Sequence, residues 1–153
     1  MPEFLQITVD KFIFRVPTDR LYCSEGLWVF WLQPQGGNRV RVGLTDYLQR
    51  HSGDTTFVTV KPVGTKRRVG DDLADFETIK VTITLAAPVS GSIVAVNDGL
   101  ELHPELINQS PYGKGWLAEI DVTSWDAERA TLLDANAYFA IMEAEAKEEA
   151  KKP

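Results

Sequence analysis

The chain has 153 residues, 44% hydrophobic and 25% charged, which is the profile of one globular unit large enough to bury a core. Its formal net charge of −6 excludes the basic footprint of a nucleic-acid binder, and a single cysteine excludes an internal disulfide and a thiolate metal cage. Met1 to Asp10 carry no basic stretch followed by an apolar run, and no apolar segment approaches the roughly 20 residues of a membrane helix, so a cytoplasmic monomer that docks transiently on partners is expected.

In chain order, residues 5–16 alternate apolar and polar side chains (Leu5, Ile7, Val9, then Phe12, Phe14, Val16), the period of a half-buried strand. Residues 1–19 are therefore expected to contribute an extra N-terminal strand. Trp28–Leu32 is a denser apolar run that Gln35-Gly36-Gly37-Asn38 turns into Arg39–Gly43, a hairpin. Thr45 is placed to cap a short helix running through about His51 and ended by Ser52-Gly53. Strand signals return at Thr55–Val60, Leu73–Thr78, Val81–Leu85 and Ser92–Val96. Lys66-Arg67-Arg68 reads as a basic turn, a solvated loop with the alternative of steering an acidic partner. From Asp126 the spacing becomes helical, and a C-terminal helix is expected over 126–150 with a solvated Glu/Lys tail. No domain linker is visible. The fold class is mostly β, with a short internal helix and a C-terminal α-helix.

The chemistry-bearing segment is Asp75-Phe76-Glu77-Thr78-Ile79-Lys80-Val81-Thr82-Ile83-Thr84-Leu85. High strand propensity on both sides of one lysine predicts two strands joined by a tight bend, with Lys80 projecting on its flexible four-carbon stem. An amine presented in this way on a rigid scaffold suits covalent acylation. On spacing alone, an ordinary exposed strand lysine is the commoner case.

The surrounding blocks resemble the H protein of the glycine cleavage system. Gly70-Asp71 and Glu77-Thr78-Ile79-Lys80, followed by Ala87-Pro88-Val89-Ser90-Gly91, are similar to that family's lipoyl-lysine segment. Upstream, Val42-Gly43-Leu44-Thr45-Asp46-Tyr47 and Gly53-Asp54 with Phe57-Val58 match its first half. Downstream, Val96-Asn97, Pro104-Glu105-Leu106-Ile107-Asn108 and Pro111-Tyr112-Gly113 with Gly115-Trp116-Leu117 match its second half. The resemblance spans about residues 20–141. It implies a barrel-sandwich hybrid with lipoic acid amide-linked to Lys80 at a hairpin tip, and it assigns Glu77 to recognition by a lipoate ligase or octanoyltransferase. It also implies a non-enzymatic carrier that shuttles an aminomethyl group between glycine decarboxylase, aminomethyltransferase and dihydrolipoyl dehydrogenase. Biotin carriers flank their lysine with methionines, whereas Lys80 has Ile79 and Val81.

Two departures stand out. The family carries acids where this chain has Leu27 and Thr84, and an ammonium in a cleft needs a carboxylate partner. Glu25 is the nearest substitute in sequence. Alternative readings are an H-protein-like lipoate carrier serving sulfur metabolism or lipoyl-group transfer, and an unmodified interaction module. Cys23 is a small packed residue first and a disulfide-exchange partner of the arm second. The tryptophans Trp28, Trp31, Trp116 and Trp125 are core candidates. His51 and His103 lack metal-ligand spacing, and no catalytic set of nucleophile, base and orienter can be assembled.

Overall fold

The computed structural model describes residues 3–32 and 37–152, so residues 35 and 36 of the expected hairpin turn lie outside the described residues. The N-terminal alternation forms two strands, β1 (Phe4–Val9) and β2 (Phe12–Pro17), paired antiparallel. This corrects the single extra strand expected for residues 1–19. The apolar phase moves from odd to even numbers across Asp10-Lys11, which is what a two-residue turn does to an alternating pattern. Asp10 takes a φ of 58°, the left-handed conformation that such turns require and that aspartate tolerates.

Next come β3 (Leu21–Tyr22), β4 (Leu27–Trp31) and β5 (Arg39–Leu44), then helix α1 (Asp46–Ser52). Thr45 caps α1, its hydroxyl accepting from the Leu48 N–H, and Gly53 ends it. Strands β6 (Thr55–Val60), β7 (Lys66–Arg67), β8 (Asp72–Thr78), β9 (Thr82–Ala86) and β10 (Gly91–Val96) follow. The basic run is therefore not simply a turn. Lys66 and Arg67 pair with β10, and the turn begins at Arg68, whose N–H donates to Asp71. Two short helices, α2 (Gly99–Leu102) and α3 (Leu106–Gln109), lead to β11 (Ala118–Val122).

The strands form a six-stranded sheet in the order β3-β4-β5-β11-β10-β7, a three-stranded sheet β6-β8-β9, and the separate β1-β2 ribbon. The two larger sheets enclose the main core: Val29, Val40, Val42, Ile93 and Ile120 from one face Phe76 and Leu85 from the other. This is the mostly β barrel-sandwich expected, with sheets that do not close. The dense apolar run of β4 follows from burial on both of its faces. Leu27 and Val29 enter the main core, while Trp28 enters a second core with Tyr22, Tyr138 and Met142. Trp28 pairs across the sheet with Gly43, and a Cβ at Gly43 would lie 2.6 Å from the indole, so only glycine fits there.

Strand β11 went unread because Glu119 interrupts its apolar pattern. Glu119 is nonetheless buried, and Arg41 pairs with it across the sheet at 2.6 Å, so the strand tolerates the charge only in its tertiary setting.

The helix expected over 126–150 is divided. Helix α4 (Trp125–Glu128) and a 3-10 turn (Arg129–Thr131) precede an extended Leu132, and α5 (Ala135–Ala150) starts anew with Asp134 accepting from the Ala137 N–H. The cause is Leu133, which exchanges both backbone hydrogen bonds with Tyr22 at 2.8 and 2.7 Å and cannot be helical while doing so. Among the described residues, no helix is long and apolar enough to cross a membrane.

Candidate functional site

Lys80 stands at the bend between β8 and β9, exposed to solvent, with Ile79 72% exposed beside it. Thr78 organises the bend. Its hydroxyl accepts from the N–H groups of Lys80 and Val81, each at 3.1 Å, and donates to the Ser52 carbonyl at 2.7 Å. The Ile79 N–H donates to the Asp54 carbonyl. The tip is therefore fastened to the end of α1.

Gly53 shapes the same place. Its φ of 96° favours glycine, and the Lys80 stem lies over it, so that a Cβ would come within 3.3 Å of the lysine Cε. Asn108 on α3 holds the loop from beneath. Its amide donates to Gln49 Oε1 and the Gly53 carbonyl, both at 3.0 Å, while its carbonyl accepts from the Thr55 N–H at 2.8 Å. Among the described residues, no hydrogen bond or ion pair holds the Lys80 ammonium. A free amine on an anchored tip, with a glycine cradle for its stem, fits an acyl group attached there.

A cleft opens beside Lys80, walled by α1, α5 and the β1–β2 ribbon. His51 stacks on Tyr47 with ring centroids 5.6 Å apart, and both reach Glu149: His51 through Nδ1, Tyr47 through its hydroxyl at 3.0 Å. The sequence reading missed this cluster, because Glu149 sits in what read as a solvated tail. His51 four residues after Tyr47 on one helix was the available signal.

The other expected positions separate. Glu77 is exposed one strand position above the bend, opposite Thr82. Leu27 is buried in the main core, and Thr84 lies on the outer face of β9, donating to Asp75 at 2.9 Å. Neither borders the cleft, nor does Glu25, which accepts from Ser24; the carboxylates that do are Asp10 and Glu149. Cys23 packs against the main core, and burial pushes its thiol up to about 11, which disfavours disulfide exchange at neutral pH. Trp28 and Trp125 are buried, while Trp31 is partly exposed against Trp125.

The family model of the glycine cleavage H-protein matches residues 20–145. The chain belongs to the glycine cleavage H-protein family. A glycine cleavage system H protein of Cronobacter sakazakii is 44% identical over 130 residues, covering 85% of this chain and 98% of the relative. One from Mycolicibacterium vanbaalenii is 42% identical over 127 residues, covering 82% and 95%. The crystal structure of a glycine cleavage system H protein from Mycobacterium marinum superposes with a TM-score of 0.70 at 32% identity, covering 82% of this chain and 97% of that one. H proteins of this family are carriers of covalently attached lipoate and not catalysts. The match begins after β1–β2 and ends inside α5, so Phe12, Phe14 and Glu149 beside Lys80 lie outside it.

Proposed function

We propose that this H-protein family member carries lipoate on Lys80 and serves glycine cleavage, moving an aminomethyl group between glycine decarboxylase, aminomethyltransferase and dihydrolipoyl dehydrogenase. The observation that carries the reading is the presentation of Lys80: exposed, unpaired and fixed at a bend that Thr78 ties to α1. Lipoate would supply a disulfide that opens to take up the transferred group and re-forms on oxidation. The chain's part is reach and recognition. Thr78 and Gly53 set the direction of the stem, and Glu77 with exposed Ile79 and Val81 presents the tip to a lipoate ligase or octanoyltransferase.

Co-expression with a lipoate ligase followed by intact mass measurement tests the reading. One lipoyl group is expected, absent from Lys80→Ala. No added mass, or mass that survives the substitution, would overturn it. The absence of acids at Leu27 and Thr84 favours a second reading, lipoate carriage for sulfur chemistry. Exchange of labelled bicarbonate into glycine, with the lipoylated chain and glycine decarboxylase, separates the two. Exchange is expected, and its absence beside a working control carrier would favour the second.

A further inference from the structure

Two segments outside the family match, the β1–β2 ribbon and the last turn of α5, build the cleft beside Lys80. The Cronobacter relative is aligned over 98% of its length, which leaves it too little chain for such a ribbon. The cleft has a volume of about 370 Å³. Its apolar wall is Val9, Phe12 and Phe14 from the ribbon, met by Ala146 and Ala150 from α5. The wall is rigid: Val9 and Phe14 are buried in the second core, and the Arg15 N–H donates to Asp46 on α1. Phe12 is not in that core and keeps 38% of its surface exposed, with the Arg50 guanidinium 5.0 Å from its ring centre.

The charges around the cleft indicate an uncharged occupant. Asp10 and Glu149 are set against Arg50 and Lys152, Glu149 is already engaged by Tyr47 and His51, and acylation would remove the charge of Lys80. An apolar chain entering here covers exposed aromatic surface without stripping water from an unpaired ion. Lys80 itself borders the cleft, so a chain attached to it needs no other anchor.

We propose that the N-terminal ribbon is a holding site for the uncharged acyl arm on Lys80, its wall of Val9, Phe12 and Phe14 receiving the arm between visits to partner enzymes. The proposal rests on the acylation of Lys80 proposed above. It is tested on the full chain, unmodified and lipoylated, with the lipoyl mass verified first. In methyl-resolved NMR, the signals of Val9 and Ala146 are expected to shift on lipoylation together with those of Ile79 and Val81. In Phe12→Asp, only Ile79 and Val81 should shift. After reduction of the arm with a phosphine, its thiols should alkylate about fivefold faster in Phe12→Asp than in the parent protein, with the unmodified protein correcting for Cys23.

Shifts confined to Ile79 and Val81 in the lipoylated parent protein would overturn the holding site while leaving the carrier reading intact. So would equal alkylation rates. Val9 signals that depend on protein concentration before lipoylation would assign the cleft to a second copy of the chain and overturn the proposal. A Lys80 that gains no lipoyl mass would overturn the carrier reading and this proposal with it. Should Phe12→Asp fail to fold, the parent-protein comparison decides alone.

Discussion

At the tip, the backbone N–H groups of Lys80 and Val81 turn toward the same oxygen, the Thr78 hydroxyl, whose proton goes to Ser52 on another element. Replacing Thr78 by valine keeps the β-branched shape and removes those bonds. A loss of about 1–2 kcal/mol in urea denaturation is expected. The larger effect should be on lipoylation, slowed because Lys80 is no longer held in one direction. A variant with unchanged stability and unchanged lipoylation rate would show that the bend needs no such anchor. Thr78 was legible only as a strand residue, because its partner Ser52 lies 26 positions away.

At the level of elements, the site depends on α3 as much as on the lysine hairpin. The Asn108 side chain bridges the end of α1 to the start of β6, and Asn108→Ala would leave the Thr55 N–H and the Gly53 carbonyl unpaired in a part-buried setting. A cost of about 2–3 kcal/mol is expected from denaturation. Faster amide hydrogen exchange at Gly53 to Thr55 should accompany it, and exchange at parent rates would place the hold elsewhere. Elements that close local hydrogen bonds were legible. Helix α1 carries its own cap at Thr45 and its own stop at Gly53, and β6 and β8–β9 carry their own alternation. Elements completed by distant partners were not. The helix expected over 126–150 breaks where Leu133 bridges to Tyr22, and β11 is read correctly only with Arg41 beside Glu119.

Across the whole molecule, two cores share one strand. Leu27 and Val29 of β4 face the sandwich, and Trp28 faces the layer built by α5 and the β1–β2 ribbon. Cys23, next to that junction, gives a pH test of the packing. Its folded thiol, pushed up to about 11 from an ordinary value near 9, is stabilised in the neutral form by burial. The resulting contribution to stability is fully present below pH 9 and is lost as pH rises from about 9 through 11. The difference in urea midpoint between the parent protein and Cys23→Ala should therefore be constant from pH 7 to 9 and move against the parent above it. A difference that stays constant to pH 11 would mean that the thiol is not buried in solution.

The sequence by itself determined the mostly β class, the capped helix at Thr45–Gly53 and the bend at Lys80. Each is written in neighbouring residues, as period-two alternation, a capping hydroxyl, or one lysine between β-branched flanks. The tertiary structure alone decided what surrounds the lysine. Phe12, His51 and Glu149 are far apart in the chain and carry no local sign of meeting. They come together because the buried faces of β1–β2 and α5 pack into a second core, and that packing depends on which surfaces are left uncovered once the sandwich has formed.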